Sequence, residues 1–537
     1  MRSLSKYLLR FTASEEALTV EEARAIDINA EFLGVPRKLL MENAGRSVAE
    51  AVAKRMDVEN KKIVILAGTG NKGGDGFVAA RHLAIRGAKV TVVLLGSERQ
   101  LTTKEARMNW KAIKNMDLSV QTLTVQDPSQ LSELEDLVIG ADVVVDALIG
   151  TGLRGELREP VRSAVELMNK SKGLKVAIDV PTGLNPDTGE VARGVFKAHV
   201  TITMHRAKKG FMGREEYIGE LEIADIGIPL EAELYIGPGD VMSILKPRKA
   251  DTHKYDYGVV LIVGGSPLYA GAPALAGMAA LKAGAGLAFI ASPSSASPYI
   301  KGFSPDLIVI PLRGDWVDEA AISDENLKRA LDRADVVAVG PGLGFNEDTV
   351  KGLGALLEEV KRRELKVLID ADGLKALGRG GYDVEGLDLV LTPHLGEYRA
   401  LMGEEVPRNL EGAIEAARKL AAKYKAVAIL KGHRSVVTDG RRVKVNRTGN
   451  AGMAVGGVGD VLSGLIAGFM AQRVEAFKAC VAASFINGRA GDLAANEKGY
   501  HFTASDVLFM VPYALKELEP WTSSYAEASA PFKGEVY

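Results

Sequence analysis

Residues 62–83 read KIVILAGTGNKGGDGFVAARHL. The run starts apolar and β-branched without alternation, passes through a glycine-rich stretch, and continues from Phe77 with helical spacing. A strand apolar on both faces that feeds a helix through a glycine loop belongs in a parallel sheet covered on both sides. Outward from it the unit recurs at KVTVVLLG (89–96), ADVVVDALIG (141–150), KVAIDVP (175–181) and HVTITM (199–204). Upstream, residues 18–56 read as two helices divided near Gly34-Val35-Pro36. The expectation is a doubly wound α/β domain over residues 1–228.

The alternation thins between 225 and 258, where proline, glycine and charge mix as in a linker; residues 229–250 are assigned to it. A second series then begins: VVLIVGG (259–265), GLAFIAS (286–292), DVVAVGPG (335–342), LKVLIDADG (365–373), LDLVLTPH (387–394) and AVAILKG (426–432). Residues 251–537 therefore form a second α/β domain. A chain of 537 residues is too long for one ordinary core, which agrees with this division.

The formal charge of −2 gives no broad electrostatic reason to bind nucleic acid or an acidic membrane surface. Residues 259–281 are uncharged and long enough to span a bilayer, but GGSPLYAGAP breaks them, so they read as strand, loop and helix of a globular core. Cys480 is the single cysteine, and its helical apolar context reads as a buried, inert thiol. The basic start MRSLSKYLLRFTAS reads as a frayed terminus and the tail after Pro520 as loosely ordered. A cytoplasmic location is expected.

Gly68, Gly70 and Gly73 spell G-x-G-x-x-G after a strand, as in dinucleotide-binding folds. Asp75 argues against that reading because a carboxylate in the loop would repel a pyrophosphate. KVTVVLLG also lacks an acid at its end, the nearest being Glu98. More informative is the recurrence of acids at strand ends: Asp75, Asp146 and Asp179. The carboxyl ends of strands in a doubly wound sheet share one edge, so the three can converge. Clustered carboxylates call for a cation, a proton or both. Each alone is also a plausible turn-former or helix cap.

In the second half the loops VGPGLG, IDADGL, TPHLGE and LKGHRS fall at strand ends, followed by NRTGNAGMAVGGVGD (446–460) and an apolar helix. A phosphate cradled by the amides of 456–459 would lie close to Asp460, and Asp460 could take the proton of an approaching hydroxyl. The plainer reading of Asp460 is an ordinary helix N-cap. Lys431 and His433 could face nucleotide phosphates, and His394 is either a substrate contact or structural.

With both halves read, the chain resembles the bifunctional NAD(P)H-hydrate repair enzymes from about Leu18 to about Leu515. The resemblance rests on GTGNKGGDGFVAARHL, DALIGTGLRG and DVPTGLNPDTG, then on GAPALAGMAALKAGAGL, GPGLG, LIDADGL, LTPHLGE, LKG and NRTGNAGMAVGGVGD. It implies a Rossmann-like N-terminal domain that interconverts the R and S 6-hydroxy hydrates of NADH and NADPH. It also implies a ribokinase-like C-terminal domain that uses ADP, or ATP in some relatives, with Mg2+ to dehydrate the S form. The partners implied are the hydrate and an adenine nucleotide, with no nucleic acid or membrane, in a homo-oligomer.

By resemblance, the catalytic groups are Asp460 in the dehydratase and Asp146 in the epimerase. Ala272, Gly342, His394 and Asp460 would line the dehydratase hydrate site, and Lys431, Gly432, His433, Arg434, Ser435 and Gly459 the nucleotide site. The epimerase substrate would meet Asn71, Lys72, Gly73, Gly74, Asp75, Gly150, Thr151, Gly152, Leu153, Arg154, Gly155, Glu156 and Asp179. Asp146 and Thr182 would bind K+. Family members commonly carry an asparagine at Lys72 whose oxygen is a potassium ligand. An ammonium cannot ligate a cation, so Lys72 either substitutes for the ion or swings away. Val458 likewise stands where a threonine or serine is often found. The rival readings are a vitamin-precursor kinase using the same glycine loop, and a non-catalytic nucleotide-binding module in the first half.

Overall fold

The computed structural model describes residues 17–152, 155–245, 248 and 251–518. The expectations for both chain termini lie outside these residues. The chain divides into two compact units between Ala232 and Glu233.

The N-terminal unit carries β1 (Lys62–Ala67), β2 (Lys89–Leu95), β3 (Val120–Val125), β4 (Val143–Ala147), β5 (Leu174–Ile178), β6 (Val200–Met204) and β7 (Glu220–Ala224). They form one parallel sheet in the order β3-β2-β1-β4-β5-β6-β7. The unbroken apolar run of β1 has its explanation here. Ile63 and Ile65 face one core, shared with Ala30, Val48 and Phe77 of the helices Val20–Phe32, Arg37–Arg55 and Asn71–Ile85. Val64 and Leu66 face a second core with Val161, Val165 and Met168 of helix Val161–Lys170. Each buried aliphatic side chain contributes about 1.5–3 kcal/mol, so a strand used on both faces is a strong organiser of its neighbours. The strand order reverses between β1 and β4, and that crevice is where such sheets bind ligands.

One expectation shifts. The helix begins at Asn71, not Phe77, so Asn71 to Asp75 form its first turns instead of a loop. Glycine permits this because the strand-to-helix corner has no room for side chains. A Cβ on Gly73 would lie 2.0 Å from Gly68 O, and one on Gly68 would lie 2.3 Å from Leu148 O.

The second unit holds β8 (Val259–Val263), β9 (Leu287–Pro293), β10 (Ile308–Leu312), β11 (Val336–Val339), β12 (Lys366–Ile369), β13 (Leu389–Leu391) and β14 (Val427–Leu430), with β15 (Val436–Thr438) and β16 (Val443–Val445). Their order is β10-β9-β8-β11-β12-β13-β14-β15-β16, parallel as far as β14 and antiparallel beyond it. Within 229–250, short helices occupy Leu230–Leu234 and Pro238–Met242, and Ile236 N donates to Val445 O of β16 at 3.0 Å. Part of this stretch is therefore packed structure, not spacer.

Residues 259–281 fold as β8, a turn and the start of helix Gly271–Lys282. Among the described residues no helix is long and apolar enough to cross a membrane. Helix Val458–Ala471 crosses Gly271–Lys282 at close range, since a Cβ on Gly464 would lie 2.0 Å from Ala276 O. This contact fixes where the N-terminus of the later helix sits. Cys480 is fully buried, and burial pushes its thiol well above the ordinary value.

Candidate active sites

In the N-terminal unit a cavity of about 430 Å³ opens at the carboxyl ends of β1, β4 and β5. Of the expected substrate residues, Asn71, Lys72, Asp75, Gly150, Thr151, Gly152 and Asp179 line it. Gly73 and Gly74 are buried within the helix corner. Gly155 and Glu156 are exposed away from the lining, Glu156 accepting from Arg193 N at 2.9 Å. Leu153 and Arg154 lie outside the described residues.

The acids separate into different environments. Asp179 has φ 59°, a strained backbone for a residue other than glycine. Its Oδ1 accepts from Lys208 Nζ at 2.8 Å, Thr203 Oγ1 at 3.1 Å and Met204 N at 3.2 Å. Burial alone would raise this carboxyl, but Lys208 and these donors hold it below the ordinary value. Asp75 has no such donors; burial, with Asp179 and Asp27 nearby, pushes it well above the usual carboxylate range. Asp27 is itself raised by burial to about 6, against the pull of Arg37 and Lys208. Two neighbouring carboxyls pushed apart in this way are suited to opposite proton-transfer roles.

Asp27 and Lys208 were not among the expected residues. Lys208 follows β6 and could have been found by the strand-end rule applied to the other sites. Asp27 comes from helix Val20–Phe32, where an acid between two buried isoleucines carries no strand-end signal.

Asp146, expected as catalytic, is fully buried and does not line the cavity. Its Oδ1 accepts from Thr182 Oγ1 at 2.6 Å and Leu148 N at 3.1 Å. Its Oδ2 accepts from Lys72 Nζ at 2.9 Å and Thr182 N at 2.7 Å. Both oxygens of Asp146 are thus engaged within the protein, outside the cavity lining. Lys72 does not swing away. Its Nζ also donates to Val180 O at 2.7 Å, Ile149 O at 3.1 Å and Thr182 Oγ1 at 3.2 Å. The oxygens expected to hold potassium therefore surround an ammonium, and as folded they do not fit the ion.

In the second unit the site again lies at strand ends. Helix Val458–Ala471 is N-capped by Gly457, in the left-handed region at φ 97°, with no side-chain cap. Asp460 is thus in the first helical turn and is not the N-cap, and its carboxylate makes no hydrogen bond among the described residues. Burial, together with Asp370, Asp372 and Glu397, pushes it up to about 7 against the attraction of Lys431.

Lys431, directly after β14, donates to Asp370 Oδ1 at 2.8 Å and lies 3.7 Å from Glu397 Oε2. Its Nζ is 3.6 Å from where a Cβ on Gly459 would be, which places the ammonium beside the helix start. Burial would lower Lys431, but Asp370 and Glu397 raise it above the ordinary value. Asp370 would be raised by burial, yet Lys431 and the Ser463 hydroxyl, donating at 2.5 Å, hold it low. Asp370 is a further residue the sequence reading left unassigned.

Gly342 and Ala272 are brought together: a Cβ on Gly342 would lie 3.3 Å from Ala272 Cβ and 2.6 Å from Tyr269 O. His394 caps helix Leu395–Met402, its Nδ1 accepting from Gly396 N at 2.9 Å and Glu397 N at 3.2 Å. Nε2, the ring's other polar atom, lies 3.4 Å from Glu397 Oε1 on a side chain that is 57% exposed. Gly432, His433 and Arg434 form an exposed turn closed by Ser435, whose hydroxyl accepts from Gly432 N at 3.4 Å. Among the described residues no three His, Cys, Asp or Glu side chains are placed to share a metal ion.

Comparison with known proteins finds a match for each half of the chain. A family model described as NAD(P)H-hydrate dehydratase matches residues 260–512, and one described as YjeF-related protein N-terminus matches residues 37–210. The chain is 45% identical over 503 residues to the bifunctional NAD(P)H-hydrate repair enzyme of Pyrobaculum aerophilum, covering 93% of this chain and 98% of that one. It is 41% identical over 491 residues to that of Methanothermobacter thermautotrophicus, covering 91% and 93%. A solved ADP/ATP-dependent NAD(P)H-hydrate dehydratase from Bacillus subtilis is 28% identical with a TM-score of 0.46, covering 53% of this chain and 99% of that one.

Proposed function

The chain belongs to the bifunctional NAD(P)H-hydrate repair enzymes, and on that premise we propose how its two sites divide the repair. The second unit dehydrates the S hydrate at the expense of an adenine nucleotide. The unpaired Asp460 carboxylate in the first turn of a glycine-led helix carries this reading. Its value near 7 lets it accept a proton at neutral pH. As the ring hydroxyl attacks the terminal phosphorus of ADP, Asp460 takes the hydroxyl proton and AMP leaves. The amides of 457–459 and Lys431 stabilise the charge on the transferring phosphoryl group. The ring nitrogen's lone pair then expels phosphate from the adjacent carbon, and loss of a proton from the next ring carbon gives NAD(P)H.

Ala272 and Gly342 form the floor under the hydrate and His394 Nε2 meets its edge, while the turn 432–435 holds the nucleotide. Magnesium bound with the nucleotide would neutralise phosphate charge. With no protein cage of three carboxylates or imidazoles among the described residues, it would be held largely by the phosphates.

The first unit interconverts the R and S hydrates. Asp75, kept protonated by burial, gives its proton to the departing hydroxyl as the ring nitrogen pushes it out as water. Water returns on the opposite face of the ring and Asp179 accepts its proton. Asp146 holds the loops and touches no reacting atom.

The test follows NADH absorbance after adding purified R hydrate and ADP. The parent should regenerate NADH with one phosphate released per turnover. Asp460→Asn should lose about 10²–10⁴-fold in dehydration while still converting R to S. Stable phosphorylated product in place of free phosphate would defeat the reading in favour of a kinase.

A further inference from the structure

The ammonium of Lys72 lies among four oxygens: Asp146 Oδ2 at 2.9 Å, Val180 O at 2.7 Å, Ile149 O at 3.1 Å and Thr182 Oγ1 at 3.2 Å. They come from the end of β4 and the loops after β4 and β5, while Lys72 itself comes from the helix after β1. One carboxylate, two carbonyls and a hydroxyl converging on one point is a cation site in composition and geometry. Its cation is supplied by the chain, since the Lys72 side chain is 6% exposed and that of Asp146 is closed to solvent.

We propose that Lys72 is a tethered replacement for a monovalent metal ion, making the N-terminal site independent of potassium. A buried carboxylate needs a positive partner, and an ammonium is close in size to potassium and can donate to the same oxygens. A free ion could enter only by expelling Nζ from its four acceptors.

The consequence is positional. Ile149 precedes Gly150, Thr151 and Gly152 of the cavity wall, and Val180 directly follows the strained Asp179. Turning both carbonyls toward Nζ fixes these segments whatever the ion content of the medium. Lys72 is therefore a positioning residue, and its effect on epimerisation rests on the function proposed above.

The experiment uses the full chain in potassium, sodium or tetramethylammonium chloride at equal ionic strength, reading thermal unfolding and R-to-S conversion. For the parent, the melting temperature should not move between salts and the rate should change by no more than about twofold. Lys72→Asn opens the cage. It should gain a potassium-dependent rise in melting temperature, on the order of several °C at about 100 times the ion's Kd, and should epimerise only with potassium. Lys72→Met should lose epimerisation in every salt. A saturable rise of the parent's melting temperature or rate with potassium, or a Lys72→Met variant as fast as the parent, would overturn the proposal. If the parent epimerises in no salt, the enzymatic reading fails, and the melting comparison of parent and Lys72→Asn still decides whether Lys72 replaces the ion.

Discussion

Replacing Asp460 by Asn separates a reactive carboxylate from a structural one by the sign of a stability change. In the folded chain the group is raised to about 7, and in the unfolded chain it titrates near about 3.9. The folded state therefore binds the proton more tightly. Its stability falls as pH rises from about 4 to about 7 and stays lowered above that. At pH 8 the ceiling on this cost is about 4 kcal/mol. Partial access to water and the favourable helix end reduce it to about 2 kcal/mol. Asn carries no charge to desolvate, so Asp460→Asn should melt higher than the parent at pH 8, by about 4 °C or more. The gap should narrow to about 0.5 kcal/mol by pH 4, where the folded parent is protonated and the unfolded one about half so. Calorimetry across pH 4–8 reads this directly. Asn and Asp cap helices about equally well, so a merely structural Asp460 predicts no gain. Equal or lower melting at pH 8, or a gap independent of pH, would refute the reasoning.

The two activities should respond to pH in opposite directions. Dehydration needs Asp460 ionised and should rise through about 7, whereas epimerisation needs Asp75 protonated and should fall as pH climbs through that group's raised value; rate profiles on separate R and S hydrates check both. Asp179→Asn strands the Lys208 ammonium, whose side chain is 3% exposed, and should cost about 3–5 kcal/mol in chemical denaturation as well as epimerisation. Gly464→Ala drives a methyl toward Ala276 O and should destabilise by about 1–3 kcal/mol. Gly456→Ala, with nothing within 4 Å, is its neutral control for stability.

The strands legible in the sequence are those buried on both faces. Every strand from β2 across to β6 in the first sheet and from β9 across to β14 in the second coincides with an apolar run in the sequence. The strands that escaped are β3, β7, β10, β15 and β16, all at or next to sheet edges. β3 and β7 mix buried with exposed positions, β10 carries Pro311, and β15 and β16 are only three residues long. The helix start at Asn71 was hidden for another reason. Clustered glycines ordinarily signal a loop, and only the proximity of Gly68 and Leu148 carbonyls shows that they serve a tight helix corner. Lys72 could not be oriented from sequence because its acceptors come from a strand end and loops 74 to 110 residues away in the chain.

Both sites repeat one electrostatic device, which explains why acids at strand ends are a dependable signal but an incomplete one. A lysine after a later strand, Lys208 after β6 or Lys431 after β14, pairs with the acid following an earlier strand, Asp179 or Asp370. A second acid sits in the opening turns of a glycine-led helix, Asp75 or Asp460, and is left without a cation of its own. The paired acid is held low and the unpaired one is driven up by burial and by its neighbour's charge. The difference between two carboxyls a short distance apart is thus set by which of them the lysine reaches. Glycine spacing can reveal the helix-borne acid. The lysine and its partner become a pair only when the sheet lays their strands side by side or one strand apart.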